Sequence, residues 1–105
     1  MGSLLRPRAA DEEIILQRVA ATHPALGLVA LVGPDGKERL RFADTQAFPA
    51  SGLEDRSRDP LVVQARAGGQ AAWGQAVERQ GRPYLPIVHP LPAGKLVYVE
   101  YSLQA

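Results

Sequence analysis

The sequence has no cysteine. That excludes disulfides, cysteine-ligated zinc and thiol catalysis, and it is compatible with an oxidising compartment without requiring one. Aromatic side chains are few, with one tryptophan, three tyrosines and two phenylalanines. Neither sign of charge dominates: 12 lysines and arginines stand against 11 aspartates and glutamates. The signs are interspersed, so there is no electrostatic footprint for nucleic acid or an anionic membrane surface. Long apolar runs are missing too. The longest, Ala25–Val32, falls well short of the roughly 20 residues that cross a bilayer. Met1–Arg8 lacks the apolar stretch of a signal peptide.

What is present fits one domain. A chain of 105 residues can build a single core but not two. Met1-Gly2-Ser3 has the look of an appended start, 1–10 reads as a lead-in, and the chain stops just after a strand-like segment. The expectation is an excised piece of a longer protein.

The centre of the pattern is Ala25–Phe42, ALGLVALVGPDGKERLRF, which predicts a β-hairpin. Its first arm is apolar on both alternating sets, with Leu26, Leu28, Ala30 and Val32 on one face and Val29 and Leu31 on the other. A strand with no polar face is covered on both sides and belongs inside a sheet. Gly33-Pro34-Asp35-Gly36 supplies the turn. The second arm alternates, Leu40 and Phe42 against Arg39 and Arg41.

Before the hairpin, Asp11 is a predicted helix cap, followed by Ile15, Leu16, Val19 and Ala20 at helical spacing. Pro24 ends that helix. After the hairpin, Ala43–Arg58 reads as a long surface loop, and Asp55, Arg56, Arg58 and Asp59 read as its solvated charges. Asp59-Pro60 then opens a second helix, and Gly68-Gly69 closes it. The remainder predicts three antiparallel strands. The first lies within Gln70–Gln80, with Trp73, Gln75 and Val77 on one face. The second, Pro83–Leu91, is weakened by Pro83, Pro86 and Pro90. The third, Lys95–Leu103, has Val97, Val99, Tyr101 and Leu103 facing one way and Tyr98 and Glu100 the other.

Catalysis has no visible apparatus. The serines sit in no nucleophile-elbow context, and GxGxxG and P-loop motifs are absent. His23 and His89 lack the HxH, HxxxH or cysteine partners that zinc requires. No metal and no cofactor are expected, and the domain is not expected to be an enzyme.

A helix followed by LVALVGPDGKERLRF, then DPLVVQARAGG, then GRPYLPIVHPLPAGKLVYVEYSL resembles the PAS-like extracytoplasmic sensor domains of the Cache type. The resemblance runs from about Asp11 to Leu103. It implies an α+β fold: a five-stranded antiparallel sheet, an N-terminal helix on one face, and a loop plus short helix between the second and third strands. It also implies an extracytoplasmic, periplasmic domain of a membrane-anchored receptor, whether histidine kinase, diguanylate cyclase or chemoreceptor. Such a domain senses through a small ligand of unidentified chemistry, through dimerisation, or both, and the parent receptor would be a homodimer. The ligand face would be the one opposite the first helix, with Tyr98 and Glu100 joined by Trp73, Tyr84, His89, Arg66 and Arg82. Tyr84 and His89 differ in strand parity, so only a bulge near Pro86 would present both there. A cytoplasmic roadblock-like interaction domain is the alternative, and it would need a continuous helix through Phe48–Ala67.

Overall fold

The computed structural model describes Arg18 and residues 25–43 and 52–103. Apart from Arg18, the predicted helix after Asp11 lies outside the described residues, as does the first half of the long loop. Strands β1 (Leu26–Val32) and β2 (Glu38–Ala43) are followed by helix α1 (Pro60–Gly68). Then come β3 (Ala72–Trp73), β4 (Val77–Arg79), β5 (Arg82–Pro90) and β6 (Leu96–Ser102). They form one antiparallel sheet in the order β2-β1-β6-β5, with β3 and β4 both pairing the far side of β5.

The hairpin forms as its pattern predicts, and β1 is buried along nearly its whole length. It lies between β2 and β6, and its side chains enter a buried cluster on each face of the sheet. Two irregularities re-aim residues. Register slips by one residue between Leu26 and Leu28, so Leu26 joins Val29 and Leu31 rather than the Leu28 set. A second slip between Leu31 and Val32 pairs Val32 with Glu38, which turns Glu38 onto the face of Leu28, Ala30 and Val32. In each case an extra residue on one strand reverses the parity beyond it.

The expected third strand is two short ones. The chain breaks at 74–76, where Gly74 packs against Leu61 of α1 and donates its N–H to the carbonyl of Pro86 at 3.2 Å. Among the described residues the sheet therefore has six strands where the pattern predicts five. The break also places Trp73, opposite Ile87, and Val77, opposite Tyr84, on different faces, which corrects their predicted alignment. β5 pairs with β6 continuously from Tyr84 to Pro90, without a bulge. A residue's N–H and C=O point to the same side of a strand. The missing N–H of Pro86 therefore faces the gap between β3 and β4, where no ladder bond is lost.

α1 is built by its caps. Asp59, in extended conformation, accepts from the N–H of Leu61 at 2.9 Å, Pro60 occupies the first turn, and Gly69 closes the helix with a left-handed φ of 65°. Residues 52–59 are not helical, so the continuous helix of the roadblock-like alternative is not formed. Val62 and Ala65 of α1 pack with Leu28, Ala30, Val32, Ala72, Tyr84, Val88, Leu96 and Tyr98 in the larger core. This is the inner face. On the outer face Val29, Leu31 and Val99 are buried among Leu26, Leu40, Phe42, Ile87, Val97 and Tyr101.

Candidate functional site

The inner face changes character along β6. Leu96 belongs to the apolar core, Tyr98 is buried at its border, and Glu100, two residues on, is fully buried. A buried carboxylate needs partners, because isolation from water costs an ion several kcal/mol or more. Glu100 has three such bonds: Arg79 donates from Nε at 3.0 Å and from Nη2 at 2.8 Å, and the Tyr98 hydroxyl donates at 2.7 Å. Arg79 reaches it because β4 pairs with β5 across from β6, with Arg79 on the same face as Val77.

From Tyr98 the network passes through its ring. The guanidinium of Arg56 lies 3.7 Å from the ring centroid, within the range of a cation–π contact. Arg56 Nε donates to Glu38 Oε2, Nη2 lies 3.1 Å from Glu54 Oε2, and Nη1 lies 3.4 Å from Asp59 Oδ2. Arg41 Nε holds the other oxygen of Glu38 at 2.9 Å, and its Nη2 is 3.5 Å from Glu54. A polar network thus runs from Arg41 and Glu38 through Arg56, across the neutral Tyr98 ring, to Glu100 and Arg79. Among the described residues no buried side-chain nitrogen or oxygen lacks a hydrogen-bond partner.

The segment that carries Arg56 is set locally. Glu38 N–H donates to the Glu54 carbonyl at 2.9 Å, and Arg56 N–H to the Gly36 carbonyl at 2.7 Å, so 54–56 lies beside the start of β2. The Asp55 carboxylate accepts from Ser57 N–H at 2.9 Å and turns the chain towards α1. Gly36, at φ 84°, is required here: a Cβ on it would come 2.5 Å from the Ser57 Cα.

Electrostatics follow from this packing. Burial opposes the charge of Arg56, but the hydrogen bond from Arg56 to Glu38 and the charges of Glu38 and Glu54 outweigh it, holding the guanidinium above its ordinary range. Arg79 is raised chiefly by its hydrogen bond to Glu100, against burial. Burial, then the hydrogen bond to Glu100, pushes the Tyr98 hydroxyl well above its usual value. Tyr98 is therefore a fixed donor, not a proton shuttle. Asp55, at the surface, is held below the usual carboxylate range, first by its side-chain hydrogen bond with Ser57.

Of the seven sequence-predicted site residues, Tyr84, Tyr98 and Glu100 come together on the inner face. Arg66 and Arg82 lie at its margins. Arg66, in the last turn of α1, reaches the Gly33 carbonyl at 3.4 Å, and Arg82 is exposed at the start of β5, across from Arg79. The structure places Trp73 and His89 elsewhere. Trp73 faces outward opposite Ile87 and is 66% exposed, and His89 is exposed and shares its parity with the outward Val97. No bulge at Pro86 brings Tyr84 and His89 onto one face.

The pattern misses Glu38, Arg56 and Arg79. The pattern reads Arg56 as a solvated loop charge, yet it is 8% exposed, while Asp59 caps α1 as its place before Pro60 predicts. The signal for Glu38 and Arg56 is weak because 18 residues separate them and a bulge decides which way Glu38 points. Arg79 had a better one, since it shares strand parity with Val77.

No protein-family model matches the chain. No curated protein matches it in sequence. Among solved structures it is similar to a domain of a sensory box/GGDEF family protein from Vibrio parahaemolyticus, with TM-score 0.64 and 16% identity over 95% of this chain and 46% of that one. It is similar as well to the Bacillus subtilis YkuI protein, which has an EAL domain and was solved with its substrate c-di-GMP and calcium. There the TM-score is 0.66 and the identity 8%, over 95% of this chain and 28% of that one. At such identities the likeness is one of fold, and the fold is PAS-like. The chain spans less than half the length of either structure.

Proposed function

We propose that this chain is the signal-sensing domain of a larger signalling protein and that it binds a small polar ligand against the inner face of its sheet. The observation that carries the reading is the buried link from the segment 54–59 through Arg56 and Tyr98 to Glu100 on β6, a strand in the middle of the sheet. Ligand sites combine apolar walls with a few convergent polar groups, and this face of a PAS-like sheet offers both. A ligand that engages the network shifts the balance between arrangements of the segment, α1 and the end of β6 by its differential affinity for them.

Binding, not catalysis, is the part proposed for this domain, since Glu38, Glu54, Asp59 and Glu100 are each paired with an arginine. The parent is proposed to be a homodimeric membrane receptor with this domain on the extracytoplasmic side. Among the described residues no helix is long and apolar enough to cross a membrane. The anchoring segments would lie elsewhere in the parent, and alkaline phosphatase fusions to the full-length gene test that topology.

A thermal-shift screen against amino acids, amines, carboxylates and other small metabolites tests the sensing reading. A concentration-dependent rise in Tm that is lost in Tyr98→Ala supports it. A flat screen over a folded domain contradicts it.

A further inference from the structure

Arg56 sits on the inner face as a ligand would. Its guanidinium stacks on the Tyr98 ring and meets carboxylates of Glu38, Glu54 and Asp59. Three of these four walls have a firm anchor of their own, and the fourth, half-exposed Glu54, keeps a looser contact with Arg41 at 3.5 Å. Glu38 is also held by Arg41. Asp59 keeps its other oxygen on the N–H of Leu61. The Tyr98 ring is fixed by its hydroxyl on Glu100, which Arg79 holds in turn. Without Arg56, those three walls still form an aromatic face beside two carboxylates, and that chemistry recognises a planar cation.

We infer that Tyr98, Glu38 and Asp59 form a guanidinium subsite that the chain fills with its own Arg56, and that a small guanidinium- or amine-bearing molecule competes for it. This names the ligand class for the sensing reading and rests on that reading for its biological sense. A competing cation displaces Arg56, and with it the segment 54–57 that precedes the Asp59 cap of α1. An anionic ligand is disfavoured because carboxylates line the subsite. Competition from Arg56, tethered in place, weakens the apparent affinity of the intact chain for any free cation.

The test is chemical rescue. Arg56→Gly is melted in millimolar methylguanidinium chloride, with sodium chloride and sodium acetate at matched ionic strength as controls. The expected result is a saturable rise in Tm of roughly 5–10 °C at ten times the dissociation constant, absent from the Arg56→Gly/Glu38→Gln double variant and smaller in the wild-type chain. Arg56→Gln, which keeps an unbranched side chain, takes the place of Arg56→Gly if the latter does not fold. A Tm that follows sodium chloride, or that responds to acetate instead, overturns the inference. The two readings separate cleanly. Rescue without any hit in the wild-type metabolite screen removes the sensing role and keeps the subsite. Hits without rescue do the reverse.

Discussion

The Arg56 guanidinium lies 3.7 Å from the centre of the Tyr98 ring, and the hydroxyl of that ring donates to Glu100 at 2.7 Å. One aromatic side chain thus joins the segment before α1 to a carboxylate on a central strand. The contact is electrostatic on one side and hydrogen-bonded on the other, and both ends are shielded from water.

Removing Arg56 should therefore be costly. Arg56→Ala leaves Glu38 buried with Arg41 as its remaining cationic partner, and losing one member of a buried pair costs about 3 kcal/mol. Urea unfolding of Arg56→Ala should show a loss near that size. Arg58→Ala, two residues away and exposed, should stay within about 0.5 kcal/mol of wild type.

Tyr98 predicts an alkaline limit to stability. Its folded-state pKa is raised above the ordinary value of 10.0. Below that value the hydroxyl is protonated in both states and its contribution is complete. As pH rises beyond 10 the unfolded tyrosine ionises first, so stability falls progressively towards the raised folded value. Chemical denaturation between pH 8 and 11 (an experimental range of about three units) should show a steeper decline for wild type than for Tyr98→Phe. At neutral pH Tyr98→Phe should cost about 1–2 kcal/mol, because Glu100 loses a buried donor.

Asp59 serves two elements through its two oxygens, the α1 cap and Arg56. Asp59→Asn keeps a capping oxygen and weakens the ion pair, whereas Asp59→Ala removes both. The second should be less stable than the first by about 1 kcal/mol, measured by thermal melts at neutral pH.

Gly36 and Gly81 both have left-handed φ, 84° and 77°, but their surroundings differ. A Cβ at Gly81 meets open space, while one at Gly36 runs into the backbone of Ser57. Gly81→Ala should cost about 1 kcal/mol from conformation alone. Gly36→Ala should cost about 2 kcal/mol or more, since it must also push away the segment that delivers Arg56.

Local features were legible. The two-faced apolar run of β1, the Asp59-Pro60 start and Gly69 end of α1, and the alternation that turns Tyr98 and Glu100 inward each depend on residues close together in the chain. Features set at a distance were not. Trp73 faces outward because the chain breaks at Gly74 to pack on Leu61, a tertiary cause that no alternation pattern encodes. Glu38 points inward because of a one-residue slip opposite Val32. Arg56 is buried because 54–56 lies beside β2, which makes a string of charges that looks like a solvated loop into part of the interior.

The most direct test of inner-face sensing is to map a ligand found by thermal shift onto two-dimensional NMR spectra. The side-chain Nε–H signals of Arg56 and Arg79 report the inner face, and the indole N–H of Trp73 reports the outer one. With inner-face binding, saturating ligand moves both arginine signals, and the backbone amides of 54–59 and of Glu100, while leaving Trp73 in place. Shifts confined to Trp73, His89 and their neighbours would contradict it.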